Sequence, residues 1–123
     1  MNVVGLHHAG VYVADLARSI GFYCDAFGLD VAEQLSFGEE RIAFLHVGSA
    51  RLELIAGGPA RDGTGVIDHI AFEVQDLDAL LAHLRARGVT LLDHKPVRVP
   101  GIGARILFCQ GPDGERIELL QYD

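Results

Sequence analysis

Tryptophan is absent from this 123-residue sequence, which also contains only one methionine and two cysteines. The cysteines, Cys24 and Cys109, lie in apolar segments without the spacing of a metal site, so they predict buried, reduced thiols and a cytoplasmic protein. No apolar run approaches the roughly 20 residues that span a bilayer. The N-terminus also lacks a basic segment followed by a long apolar one. These absences argue against a membrane span and a secretory signal.

Basic residues are also scarce. The chain has 10 Lys and Arg residues against 17 Asp and Glu residues, which gives a formal net charge of −7. This balance argues against nucleic acid or an anionic membrane as the main partner. Half of the residues are apolar, so the composition is that of a globular protein, and the length predicts one ordinary domain with a real core.

The stretch Val-Ile-Asp-His-Ile-Ala-Phe-Glu-Val, residues 66–74, alternates as a β-strand does. Every second residue from Ile70 is apolar and predicts a core-facing side. His69 and Ala71 belong to the other side, which suits the wall of a binding site. A single histidine on a strand is more often structural, so this stretch alone does not predict a function.

The same pattern occurs earlier in the chain, in Leu-His-His-Ala-Gly-Val-Tyr-Val at residues 6–13. His8 matches His69 at an offset of 61 residues, and Asp15-Leu16 matches Asp76-Leu77 at the same offset. This phase places His7 on the core-facing side and His8 on the open side. The repeat makes a shared function for His8 and His69 more plausible than either histidine alone would.

Two helices follow the two histidine strands. Asp15 is the predicted N-cap of a helix that ends before Gly28, with a buried stripe at Leu16, Ile20, Tyr23 and Phe27. Asp76 caps the second helix, which ends at Gly88. The predicted strands are 5–13, 29–37, 40–47, 51–56, 66–74, 89–93, 104–109 and 115–121, with a loop at 94–103.

This order predicts an α+β fold made of two βαβββ modules. The first module covers 1–57, a glycine-rich linker covers 57–65, and the second module covers 66–123. Two copies are too few for a solenoid, so we expect one domain in which a curved, eight-stranded mixed sheet forms a cup. The helices lie outside this cup and the open strand faces lie inside.

Two glutamates share the open faces with the two histidines. Glu53 and Glu118 are flanked by leucines or isoleucine and match each other at an offset of 65 residues. Each could be an ordinary solvated charge, but the repeated set His8, Glu53, His69 and Glu118 predicts a divalent metal site. Two imidazoles and two carboxylates suit Zn, Ni, Co, Fe or Mn, with two open positions in an octahedral shell. A closed tetrahedral zinc site is the competing interpretation.

The chain resembles the vicinal oxygen chelate superfamily, also called the glyoxalase/bleomycin resistance/dioxygenase superfamily. The resemblance rests on the 6–16 segment, on Arg51-Leu-Glu-Leu-Ile, on the strand around His69 and on Gly111-Pro-Asp-Gly-Glu-Arg-Ile-Glu-Leu. It implies paired βαβββ modules with one divalent ion at the four positions above. Four ligands in the order His, Glu, His, Glu resemble the branch of glyoxalase I and methylmalonyl-CoA epimerase.

This branch implies a metal-dependent lyase or isomerase that moves a proton α to a carbonyl through a metal-chelated enediolate. The substrate would be a small molecule with two vicinal oxygens. Resemblance to glyoxalase I makes Glu118 the expected catalytic base, and a homodimer is expected. Glyoxalase I carries an arginine for the glutathione carboxylate on its first strand, where this chain has Tyr12.

Two alternatives come from the same superfamily. A metal-dependent dioxygenase or thiol transferase would use two histidines and one glutamate. A bleomycin-resistance-type protein would bind a small molecule without metal. Metal content separates the binding protein from the enzymes, and a substrate screen separates the enzymes from each other.

Overall fold

The computed structural model describes residues 5–58, 65 and 67–123. The chain divides into two compact units, Met1–Arg61 and Asp62–Asp123. Their boundary lies in the glycine-rich stretch 57–65 that the sequence predicts as a linker. Most of this linker, and Val66 at the start of a predicted strand, lie outside the described residues.

The first unit is a four-stranded mixed sheet with one helix. Its elements are β1 (His8–Tyr12), α1 (Leu16–Phe27), β2 (Asp30–Phe37), β3 (Glu40–Val47) and β4 (Ala50–Ala56). The strand order is β1-β4-β3-β2, in which β1 and β4 are parallel and the other neighbours are antiparallel. The two ends of the chain segment, β1 and β4, therefore lie side by side.

The second unit repeats this plan with one additional strand. Its elements are β5 (Ile70–Glu73), α2 (Leu77–Ala86), β6 (Thr90–Leu91), β7 (Val97–Val99), a 3₁₀ turn (Pro100–Ile102), β8 (Ala104–Gln110) and β9 (Arg116–Tyr122). The parallel pair β5-β9 corresponds to β1-β4, and β8 lies antiparallel to β9. Both β6 and β7 pair with β8.

The α+β class and the repeated βαβββ order are confirmed, with a correction to the sheet. The described strands number nine and form a four-stranded and a five-stranded sheet, whereas the sequence predicts one eight-stranded sheet. In each unit the parallel strand pair lies within that unit. The additional strand is β7, in the predicted loop 94–103, where proline flanks a short edge strand.

Both helices begin where the sequence predicts. The Asp15 carboxylate accepts a hydrogen bond from the Arg18 backbone N–H at 3.0 Å, and Asp76 does the same for Ala79 at 3.0 Å. Gly28 ends α1 in the left-handed conformation with φ of 69°. The predicted stripe of α1 needs a correction, because Ile20 and Phe27 are only half-buried. The buried residues are Leu16, Ser19, Tyr23 and Ala26.

The strands alternate between a buried and an open face. Leu52 and Leu54 are buried in β4, whereas Glu53 between them is partly exposed. In β9, Ile117 and Leu119 are buried and Glu118 is partly exposed. Both glutamates therefore lie on the open faces, as the alternation predicts.

The cysteines are both free, and Cys109 is fully buried while Cys24 is half-buried. Burial, with a smaller contribution from Glu115, raises the pKa of the Cys109 thiol to about 12. The Cys109 side chain is therefore a neutral thiol and a packing residue. Among the described residues, no helix combines the length and the apolar character that a membrane span requires.

Candidate metal centre

The first unit brings His8 and Glu53 together. His8 begins β1, and the parallel register pairs Gly10, two residues later, with Glu53 in β4. The His8 Nε2 atom lies 3.6 Å from Glu53 Oε1. Gly10 has no side chain, which leaves room for the Glu53 carboxylate over β1. A Cβ atom at Gly10 would lie only 3.1 Å from the same carboxylate oxygen.

The second unit brings His69 and Glu118 together in the same way. His69 immediately precedes β5, and Ala71, again two residues later, pairs with Glu118 in the parallel strand β9. The His69 Nε2 atom lies 3.5 Å from Glu118 Oε1. The two units therefore hold a histidine and a glutamate in the same register and at nearly the same distance.

These distances are too long for a hydrogen bond and slightly longer than the separation of two ligands on one ion. Nε2 and a carboxylate oxygen that share a hydrogen bond are about 2.7–3.2 Å apart. Two donors that one ion binds at about 2.1 Å each are about 3.0–3.4 Å apart. The four side chains are reachable from solvent, with exposed fractions of 40% for His8, 33% for His69, 16% for Glu53 and 14% for Glu118.

The donor types fit a borderline divalent ion, because each pair offers one imidazole nitrogen and one carboxylate oxygen. In the described part of the chain, no group of three or more His, Cys, Asp or Glu side chains lies close enough together to hold an ion. Each pair is therefore a two-donor arrangement within its own unit. That the four residues form one site stays a prediction.

A phenylalanine and an arginine complete each arrangement. The His8 ring meets Phe44 edge to face at 5.5 Å, and the Arg51 guanidinium lies 5.8 Å from the same ring. In the second unit the His69 ring meets Phe108 at 5.2 Å, and Arg116 lies 4.4 Å from it.

The antiparallel registers explain this repetition. They pair Phe44 with Glu53 and Phe108 with Glu118. Sequence reasoning missed these four residues, although Arg51 and Arg116 share the 65-residue offset of the two glutamates.

The second ring nitrogens of the two histidines have different partners. His8 Nδ1 lies 2.9 Å from Nδ1 of His7. The prediction that His7 faces the core is wrong: the residue lies just before β1, is exposed and turns its ring toward His8. His69 Nδ1 instead lies 2.8 Å from Oδ2 of Asp68. The hydrogen bond with His69, aided by the Arg116 guanidinium, lowers the pKa of Asp68 below its ordinary value.

Comparison with known proteins gives matches that cover nearly the whole chain. A lactoylglutathione lyase of Arabidopsis thaliana is 33% identical over 93% of this chain, but the chain spans only 43% of that relative's length. A probable lactoylglutathione lyase of Synechocystis is 31% identical over 94% of both proteins. Human mitochondrial methylmalonyl-CoA epimerase is 26% identical over 98% of this chain and 75% of its own length.

Solved structures agree with these relatives. The trypanothione-dependent glyoxalase I of Leishmania major superposes with a TM-score of 0.80 at 28% identity, over 97% of this chain and 87% of that one. The model of the glyoxalase/bleomycin resistance protein/dioxygenase superfamily matches residues 5–119. With its two βαβββ units and its relatives among lyases and epimerases, the chain belongs to the glyoxalase/bleomycin resistance protein/dioxygenase superfamily.

Proposed function

We propose that this protein is a divalent-metal-dependent lyase or isomerase of the glyoxalase I or epimerase type. The observation that carries the proposal is the pair of a histidine and a glutamate found in the same register in both units, at 3.6 Å and 3.5 Å. His8, Glu53, His69 and Glu118 together would hold one Zn, Ni, Co, Fe or Mn ion. Lyases and epimerases among the relatives support the same reaction class.

The bound ion would supply Lewis acidity that stabilises negative charge on two neighbouring oxygens of the substrate. Glu118 would take the proton from the carbon α to the carbonyl and return it at the end of the reaction. Its carboxylate suits this role because the side chain is largely shielded from water yet lies on the open face of β9. Phe108 lies directly across the ladder and would limit the access of water to that carboxylate.

The substrate would be a small molecule with vicinal oxygens, and the open faces suggest that it is not strongly anionic. Arg51 is already engaged with Glu33 at 3.2 Å, and Arg116 with Asp68 at 2.6 Å. By resemblance, Tyr12 corresponds to the position where glyoxalase I usually carries an arginine for the glutathione carboxylate. We therefore expect another conjugate or a simpler oxo compound in preference to a glutathione conjugate.

Metal analysis is the first test. Purified protein should contain about one divalent ion per set of four ligands, and removal of the ion by a chelator should lower the melting temperature. A ligand that binds only the native state stabilises it by about 2.7 kcal/mol at a hundredfold excess over Kd. His69→Ala should abolish binding, whereas His94→Ala, a change in an exposed loop histidine, should not.

The absence of bound metal, together with no thermal shift on adding Zn, Ni, Co or Mn, would contradict this proposal. It would favour a metal-free binding protein for a small molecule. For metal-loaded protein, α-proton exchange in D₂O should be screened across thiol conjugates, CoA esters and simple oxo compounds. Oxygen consumption or thiol transfer without such exchange would instead favour the dioxygenase or transferase class.

The four ligands can come from one chain or from two chains of the expected homodimer. Subunit exchange between His8→Ala and His69→Ala proteins distinguishes these arrangements. Mixed dimers regain an intact site only where each site combines the first module of one chain with the second module of another. We expect the protein to act on its substrate in the cytoplasm, consistent with two free cysteines.

A further inference from the structure

The Asp68 carboxylate links the candidate ligand His69 to Arg116. Its Oδ2 atom lies 2.8 Å from His69 Nδ1 and 2.6 Å from the Arg116 guanidinium. The Arg116 guanidinium also lies over Phe108, whose ring meets the His69 ring edge to face. Each of these four side chains therefore contacts two of the others, and the contacts form a closed circuit that includes the imidazole.

This contact decides which nitrogen of His69 carries the proton. An ionised carboxylate has acceptors only, so the neutral imidazole must donate its Nδ1–H to Asp68. The lone pair is then on Nε2, the atom that faces Glu118 Oε1. A carboxylate that accepts from the far nitrogen also makes an imidazole a stronger ligand, as in many carboxylate–histidine–zinc arrangements.

The first unit lacks this circuit, although its other parts are the same. Arg51 lies near Phe44, but its guanidinium pairs with Glu33. The Nδ1 atom of His8 faces the His7 imidazole. A neutral imidazole can accept or donate a hydrogen bond, so His7 does not fix the tautomer of His8. It also places no negative charge beside the His8 ring. The difference between the units lies in what holds the second ring nitrogen.

We propose that Asp68, held in place by Arg116, is a positioning residue that keeps His69 in the Nδ1–H tautomer and strengthens its Nε2 atom as a metal ligand. The part that concerns metal affinity rests on the proposed function. The part that concerns the tautomer is a property of the metal-free protein. A second consequence is that His69 is the stronger of the two histidine ligands.

The test combines nitrogen NMR of the metal-free protein with metal affinity measured by competition against a chromogenic chelator. At mildly alkaline pH, where imidazoles are neutral, His69 of the wild type should show a protonated Nδ1 and an unprotonated Nε2. Asp68→Ala should remove this preference and raise the Kd for Zn²⁺ about 10–100-fold. Asp68→Asn keeps an acceptor oxygen but no charge, so it should retain much of the tautomer preference and lose less affinity.

Asp78→Ala is the matched control. Asp78 pairs with Arg105 through both carboxylate oxygens at 3.3 Å, in the same unit and also exposed to solvent, but none of its described contacts involves a candidate ligand. This variant should keep the wild-type His69 spectrum and the wild-type Kd. An equal loss of affinity in Asp78→Ala would mean that Asp68 acts only through general stability, which would overturn the inference.

The two proposals fail in different ways. An unchanged His69 tautomer in Asp68→Ala would overturn the positioning role even where the wild type binds metal tightly. A wild type that binds no metal would instead contradict the proposed function, and the spectra of the metal-free variants would still decide the tautomer.

Discussion

Glu53 and Glu118 are almost equally exposed to solvent, so exposure cannot explain a difference in their roles. Their side chains are 16% and 14% exposed, and each carboxylate lies about as far from its histidine as the other does. What differs is the neighbouring strand and the histidine's support. Glu53 lies over the bare backbone of Gly10, whereas Glu118 lies across from the methyl group of Ala71.

Glu118→Gln and Glu53→Gln are therefore matched changes that test which carboxylate moves the proton. Glutamine keeps an oxygen that can bind a metal weakly but cannot act as a base. We expect Glu118→Gln to retain much of the metal while α-proton exchange falls about 10²–10⁴-fold. Glu53→Gln should be milder, and His69→Ala should be at background. The measurement is exchange of the substrate's α-proton, together with metal content.

A larger loss in Glu53→Gln, with both proteins metal-loaded, would show that the base belongs to the first unit. A parallel loss of metal in both variants would show that the carboxylates act mainly as ligands. Circular dichroism of each variant controls for unfolding.

At this scale, the sequence predicted which histidines and glutamates share the open strand faces better than it predicted their neighbours. The repeat predicts His8, Glu53, His69 and Glu118 because strand alternation and offset are local properties. Phe44 and Phe108 could not be predicted in the same way, since their place beside the donors depends on the antiparallel register of β3 with β4 and of β8 with β9. The contact of Asp68 with Arg116 joins residues 48 positions apart, which no local pattern reveals.

At the scale of elements, helices were easier to predict than short strands. Asp15 and Asp76 form N-caps with neighbours three residues away, so the starting points of the helices are set locally. The strand β7 exists because Val97 pairs with Ile106 and Val99 with Ala104. That pairing depends on the path of a distant strand, so the segment has the composition of a loop when it is considered alone.

Two glycine-to-alanine changes should have opposite effects on stability. Gly21 lies in α1 with nothing within 4 Å of an added Cβ, so Gly21→Ala should stabilise the protein by about 1 kcal/mol. Gly111 precedes the tight turn between β8 and β9, where an added Cβ would overlap the buried Glu115 carboxylate. Gly111→Ala should cost about 1–3 kcal/mol. Urea unfolding of both variants against the wild type measures these changes.

The hydrogen bonds of Glu115 explain why Gly111→Ala should destabilise the protein. Its carboxylate accepts a hydrogen bond from the Asp113 backbone N–H at 2.8 Å, and its carbonyl accepts one from Gly111 at 2.9 Å. Moving the carboxylate away from Gly111 would break the contact that closes the turn. A Gly111→Ala protein as stable as the wild type would mean that this side chain moves aside freely.

At the scale of the whole molecule, the two units share topology, register and donor pairs. Parallel pairing of the histidine strand with the glutamate strand occurs in both, with Gly10 opposite Glu53 and Ala71 opposite Glu118. The units differ in the extra strand β7 and in the residue that contacts the second ring nitrogen of each histidine. This distribution agrees with the proposed site, in which the repeated histidine–glutamate pairs would bind the ion and the segments that differ would adapt the site to its substrate.

The exposed edge strand β2 predicts that the protein is a homodimer. β2 ends its sheet, and it exposes 39% of Val31, 41% of Leu35 and 74% of Phe37. An open strand edge with apolar side chains favours association of two chains. A second chain would cover both the unpaired backbone groups and the apolar side chains. Light scattering should give twice the chain mass of 13.3 kDa. Phe37→Glu should shift the protein toward monomer. Ser36→Glu, at the adjacent exposed position, is the control and should shift it less. A wild-type protein that is a monomer at working concentration would contradict the prediction.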